Sequence, residues 1–180
     1  MLQITIPPAE FYDENSETFL NTKEQTLQLE HSLVSLSKWE SRWNKSFLAT
    51  VEKTHEESID YIRCMTITQN VDPNVYLAIN NEIITKVTEY IDLPMTATTF
   101  REDLNKGHSR EIITSEIIYQ WMISLGVPFE CQKWHLNRLL TLIRVCSLKQ
   151  QQPKKMSKNE LYSRNRKLNA ARKRSLHTKG

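Results

Sequence analysis

Leu2, Ile4 and Ile6 alternate with Gln3 and Thr5, the two-residue period of a half-buried strand. Pro7 and Pro8 are expected to end it. The polar run DENSET leads to Phe19–Leu20 and then to 26–29, where Leu27 and Leu29 alternate again. A small antiparallel sheet over residues 2–30 is therefore expected. From residue 32 the period lengthens. Ser32 is placed to cap a helix carrying Leu33, Leu36, Trp39 (or Glu40) and Trp43 at spacings of three and four. Trp39 and Trp43 stack along one face, and packing into the core is preferred to a ligand platform because aromatic side chains bury so much area.

Thr54 and Glu57 have the spacing of a capping box, opening a helix with Ile59, Ile62 and Met65 on one face. Asp72-Pro73 is a cap followed by proline at the first helical position. Val75, Ile79, Ile83 (or Ile84), Val87 and Ile91 continue at helical spacing to Pro94, with Asn80-Asn81 as a potential break. Thr96–Asn105 reads as a loop, and Gly107 precedes a cap at Ser109. The helix after it carries Ile113, Ile117, Trp121 and Leu125. Gly126 stands where a left-handed residue closes a helix, and Pro128 follows. In the next helix Lys133, Asn137, Thr141 and Arg144 form one narrow polar stripe, and Trp134, Leu136, Leu139, Leu140, Leu142, Ile143, Val145 and Cys146 cover the remaining circumference. Together these features predict a buried αα-hairpin over 109–148, each arm about 24–28 Å long at 1.5 Å per residue. The expected fold class is mainly α with a small N-terminal antiparallel β element. One globular domain covers 1–148 (β element 2–30, helices 32–148), and a basic tail covers 149–180.

Charge sharpens that boundary. Residues 149–180 hold eleven Lys/Arg and one acid, Glu160, against thirteen basic and twenty acidic residues before them, so the body carries −7 and the tail +10. KQQQPKK reads as a linker. Ser157 and Glu160 offer a further capping box for a helix over 158–174, whose apolar seam is only Leu161, Leu168 and Ala171. Such a helix is marginal alone in water, and a disordered tail is the competing expectation. The candidate partner-binding residues are Lys154, Lys155, Lys158, Arg164, Arg166, Lys167, Arg172, Lys173 and Arg174. Cations at this density can neutralise phosphates. With Tyr162 as the segment's one aromatic there is no stacking platform for single strands, so a solvated or protein-docking face is preferred to nucleic acid.

Catalytic and cofactor signatures are missing from the sequence. The three glycines, at 107, 126 and 180, lie too far apart for a phosphate-cradling loop, a dinucleotide fingerprint or a G-x-S-x-G elbow. His55-Glu56 begins H-E-x-x-H, but residue 59 is Ile; Glu52 and His55 form one Glu-x-x-His where a di-iron site needs two. Glu56 and Asp60 share a helical face as surface carboxylates commonly do. His135 reads as a hydrogen-bonded structural histidine rather than a general base. Cys64, Cys131 and Cys146 include no C-x-x-C, and buried thiols are expected. No cofactor, metal or catalytic residue is expected, and the protein is not expected to be an enzyme. No apolar run reaches the roughly 18 residues of a membrane span, and MLQITIPPAE lacks the pattern of a signal peptide, which makes a soluble cytoplasmic protein with no membrane partner the expectation.

Four stretches carry a resemblance: LQLEHSLVSLSKWESRWNKSFL (27–48), MTATTF (95–100), EIITSEIIYQWMISLGVPFECQKWHLNRLLTLIRVC (111–146) and NRKLNAARKRSLHTKG (165–180). Together they resemble a family of tail assembly proteins, or tail assembly chaperones, encoded by long-tailed bacteriophages of Gram-positive hosts. The resemblance implies a non-enzymatic protein of the host cytoplasm. It would bind the tape-measure protein or other tail proteins, such as the tail tube, during assembly, and it carries no catalytic site. Nucleic-acid binding through the basic tail, and a structural subunit retained in the virion, are the alternatives. Homo-oligomerisation is open in each.

Overall fold

A computed structural model describes residues 1–13, 17–49, 52–100, 112–150 and 158–176. Four strands, β1 (Leu2–Ile6), β2 (Ala9–Asp13), β3 (Thr18–Thr22) and β4 (Gln25–Leu29), form two antiparallel ladders, β1 with β4 and β2 with β3. Both ladders keep one register: the numbers of facing residues add to 31 from Leu2↔Leu29 to Asp13↔Thr18. The two ladders are thus halves of one ribbon, interrupted where Pro7 and Pro8 fall opposite Glu24 and Lys23. β1 ends at Ile6, so Pro7 and Pro8 end this strand as expected. Neither has an N–H to donate to a ladder, but a proline does not prevent the chain beyond it from pairing again.

The inward-facing positions change parity across this step. Ile4, Ile6, Leu27 and Leu29 are buried, whereas beyond the prolines Phe11 and Leu20 are half-buried and their neighbours Tyr12 and Phe19 are exposed. Since side chains alternate along a strand, the ribbon must roll about its axis at the step. Thr22 stands beside it, accepting a hydrogen bond from Ala9 N–H and donating to Ala9 C=O, both at 3.1 Å.

Helices make up most of the rest: α1 (Leu33–Trp43), α2 (His55–Met65), α3 (Asn81–Asp92), α4 (Ser115–Leu125), α5 (Leu136–Gln150) and α6 (Lys158–Leu176), with 3-10 turns at Pro73–Ala78 and Phe129–Lys133. The chain is mainly α with a small N-terminal antiparallel β element, as the pattern predicts. Local signals set most of the boundaries. Ser32 and Thr54 each form a reciprocal capping box, with Ser35 and Glu57. Asp72 caps the turn that begins at Pro73, and Asn80 caps α3, so the Asn80-Asn81 pair does divide the run. Gly126 closes α4 at φ 66°. Trp39 and Trp43 stack with centroids 6.2 Å apart. Trp39 is buried and donates its indole N–H to Glu57 C=O, while Trp43 donates to Asp60 Oδ2.

The 109–148 region has both expected helices, each shorter than expected. α4 begins at Ser115, and 112–114 are not helical; Ser109 and Gly107 lie outside the described residues. At 11 and 15 residues, α4 and α5 span about 16 and 22 Å, because residues 129–133 form a 3-10 turn. α4 packs chiefly on α1. In α5 the fully buried row is Leu136, Leu139 and Ile143; Leu140, Leu142, Val145 and Cys146 are half-buried. The polar stripe of α5 has a structural use: Asn137 donates both amide hydrogens, to Ile91 C=O at 2.9 Å and Leu93 C=O at 2.8 Å, which satisfies carbonyls at the end of α3.

Two compact units divide the chain, Met1–Ser147 and Leu148–Gly180. The first holds a single buried cluster to which β1, β4 and helices α1 to α5 contribute. The second contains α6.

Candidate partner-binding surfaces

Seven of the nine candidate residues, Lys158, Arg164, Arg166, Lys167, Arg172, Lys173 and Arg174, lie on α6 and are exposed. Lys154 and Lys155 fall outside the described residues, as does the Ser157 cap. At 100° per residue the seven cations point in every direction around the helix axis. Leu161 and Leu168 lie within about 20° of each other, but Asn165 and Arg172 continue their row, so no apolar stripe forms. Leu161 and Leu168 are half exposed, Tyr162 is 72% exposed and Leu176 is 69% exposed. A helix polar on all sides does not bury itself against an apolar core. Its chemistry is that of a rod of positive charge.

In the first unit the buried polar groups serve the fold. Glu40, 7% exposed, accepts from Phe47 N–H at 2.9 Å and Ser115 N–H at 2.7 Å. The Thr114 side chain makes no capping bond. The carboxylate of α1 therefore caps α4 from outside, at the positive end of its dipole. Glu57 accepts from Lys45 Nζ at 2.6 Å and Thr54 N–H at 2.8 Å, and these bonds hold its carboxyl below the usual range.

His31 and His135 lie face to edge, ring centroids 5.1 Å apart, where the exit from β4 meets the start of α5. Asn137 N–H donates to His135 Nδ1, so Nε2 carries the proton and donates to Tyr90 C=O at 3.1 Å. A 2.6 Å bond joins His31 Nδ1 to the Tyr61 hydroxyl. Burial, and then the neighbouring His135, push the His31 pKa down to about 3; burial also lowers that of His135. Both rings are neutral hydrogen-bonding parts of the core, which is the structural reading of His135 that the sequence supported. Tyr61 and Tyr90 are raised by burial. Burial also raises the Cys64 thiol, the direction opposite to that of a nucleophile. Among the described residues no three His, Cys, Asp or Glu side chains group to hold a metal.

The surface that sequence reading missed is a cleft of about 340 Å³ between α2 and α3, roofed by Phe47, Leu48, Ala49 and Lys53. α3 carries two apolar rows. Ile83, Val87 and Tyr90 are buried in the core, and Ile84, Thr88 and Ile91 line the cleft beside Val87. The ambiguity between Ile83 and Ile84 in the pattern was the available signal, since both rows are real. No helix among the described residues is long and apolar enough to cross a membrane.

No family model, curated protein or solved structure matches the chain.

Proposed function

We propose that this protein is a non-enzymatic phage tail assembly factor, a chaperone-like binder of the tape-measure protein or another tail protein in the host cytoplasm. The observation that carries the proposal is the division of the chain into a compact unit and a helix, α6, cationic on every side and exposed wherever its side chains are described. A helix of this kind, with seven cations and one acid, is suited to meet an acidic partner. The resemblance of 27–48, 95–100, 111–146 and 165–180 to tail assembly proteins gives that partner its class.

Co-expression tests the reading. The tape-measure protein should become more soluble in the presence of the full chain and form a complex on a sizing column, and a chain ending at Lys149 should do so less well. Unchanged solubility together with no complex refutes it.

One observation favours a second reading, nucleic-acid binding. Cations spread around a helix can reach both phosphate walls of a groove, which a one-sided stripe cannot. That reading requires binding to duplex or single strands to fall steeply between about 50 and 200 mM salt and to be lost without residues 150–180.

A further inference from the structure

The α2–α3 cleft has a composition the fold does not explain. Its walls are Ile62, Ile84, Val87 and Ile91, and Phe47 of the roof stacks on Tyr61 at 3.8 Å between centroids. The hydroxyls in the lining are already used: Ser58 donates to Thr54 C=O and Thr88 to Ile84 C=O, each at 2.9 Å, and the Tyr61 hydroxyl is bonded to His31. Lys53 enters this apolar lining with its ammonium 4.2 Å from the centroid of the Phe47 ring. Lys45 takes the Glu57 carboxylate at 2.6 Å, and among the described residues Lys53 has no carboxylate within 4.0 Å. Burial lowers its pKa, with Glu57 opposing from a distance. Asp92, at the end of α3, is the other charged group in the lining.

Desolvating an ammonium without a paired anion is unfavourable, so Lys53 as it stands lacks a carboxylate paired with it. The apolar surface also continues outward, since Leu48 in the roof is 38% exposed. A groove between two helices, lined at i, i+3/i+4 and i+7 of α3, has the shape that receives the apolar face of another helix.

Building on the assembly reading, we propose that this cleft seats an amphipathic helical segment of the client, whose apolar row fills the groove and whose acidic residue beside that row pairs with Lys53. A third helix across α2 and α3 would cover Ile84 and Ile91 and give Lys53 its counter-charge.

The test uses the full chain and two fluorescent helical peptides with the same leucine row, one flanked by Glu and one by Lys. The Glu peptide should bind at least tenfold more tightly. Lys53→Glu should abolish or reverse that preference, Lys53→Arg should retain it, and Ile84→Arg should remove binding of both peptides while circular dichroism and the unfolding midpoint stay near wild type. Equal affinity for the two peptides, no binding of either up to 1 mM, or a preference indifferent to Lys53→Glu overturns the proposal. Client solubility separates its failure from that of the assembly reading. If the wild type and Ile84→Arg solubilise the tape-measure protein equally, the cleft is not the seat and the assembly role stands; if the wild type does not solubilise it, the assembly role falls and the peptides alone decide the cleft.

Discussion

α1 and α6 are both helices, and they owe their form to opposite causes. α1 has 11 residues, buries Leu33, Ser35, Leu36, Trp39 and Glu40, and is closed by a capping box at one end and left-handed Asn44 at the other. α6 is longer, at 19 residues, and exposed wherever its side chains are described. The buried residues of α1 are answered by particular neighbours, whereas in α6 good helix formers and charge are distributed with no preferred side. The shorter helix is specified by its contacts, and the longer one by its composition. Stability and recognition should therefore separate along the chain, with substitutions in one helix affecting folding and those in the other affecting only partners.

The largest effect expected on the α1 side is that of Trp39→Ala, which empties a fully buried site and deletes the bond to Glu57 C=O. It should cost about 3–5 kcal/mol in urea unfolding; a loss under about 1 kcal/mol would mean that α1 is not central. Next comes Glu40→Ala. It leaves the amides of Phe47 and Ser115 unpaired and should cost about 3 kcal/mol, while Glu40→Gln, keeping one acceptor oxygen, should cost roughly half as much. Equal losses would show that the carboxylate acts through charge rather than through two directed bonds.

Acid should destabilise the first unit through its buried histidines. The pKa values of His31 and His135 are lowered in the folded chain, so the unfolded chain binds more protons below its ordinary histidine pKa of about 6.5. Stability is complete above that pH and falls as pH drops toward the folded value of about 3 for His31. The slope approaches about 1.4 kcal/mol per pH unit for each histidine. Between pH 6.5 and 5 that loss precedes the carboxylate range in which Glu57 begins to contribute. A midpoint flat over this interval would mean that folding lowers the pKa of neither ring. Smallest of all should be Leu168→Ala in α6, under about 0.5 kcal/mol on global unfolding. Converting Arg172, Lys173 and Arg174 together to Gln should also leave the midpoint unchanged while reducing recovery of a soluble client complex. A shift of several degrees in the melt from either change would erase the contrast between the two helices.

What could be read in the sequence follows the range of the interactions. Ser32, Thr54, Asp72, Asn80 and Gly126 act on backbone groups within a few residues, so their side-chain types announce the boundaries. The Glu40 cap on Ser115 spans 75 residues, and nothing local marks a glutamate as the missing cap of a distant helix. The histidine pair joins two segments 104 residues apart in the same way. The cleft was hidden because an apolar row lining a groove and one filling a core have the same period. Pro7-Pro8 marked the end of β1 correctly but could not announce the second ladder: the prolines report lost donors at their own positions, while renewed pairing beyond them depends on Phe11, Leu20 and the facing strand.

The single register of the N-terminal ribbon bears on how such a chain can change length. Facing positions add to the same number on both sides of the proline step, so residues of the outer half can be removed or added in facing pairs without moving Ile4, Ile6, Leu27 or Leu29 relative to one another. The ribbon can be lengthened or shortened two residues at a time, whereas an unpaired insertion must be absorbed between β2 and β3 or by a bulge. Outreach can thus evolve independently of the core, with the prolines marking the border between the two.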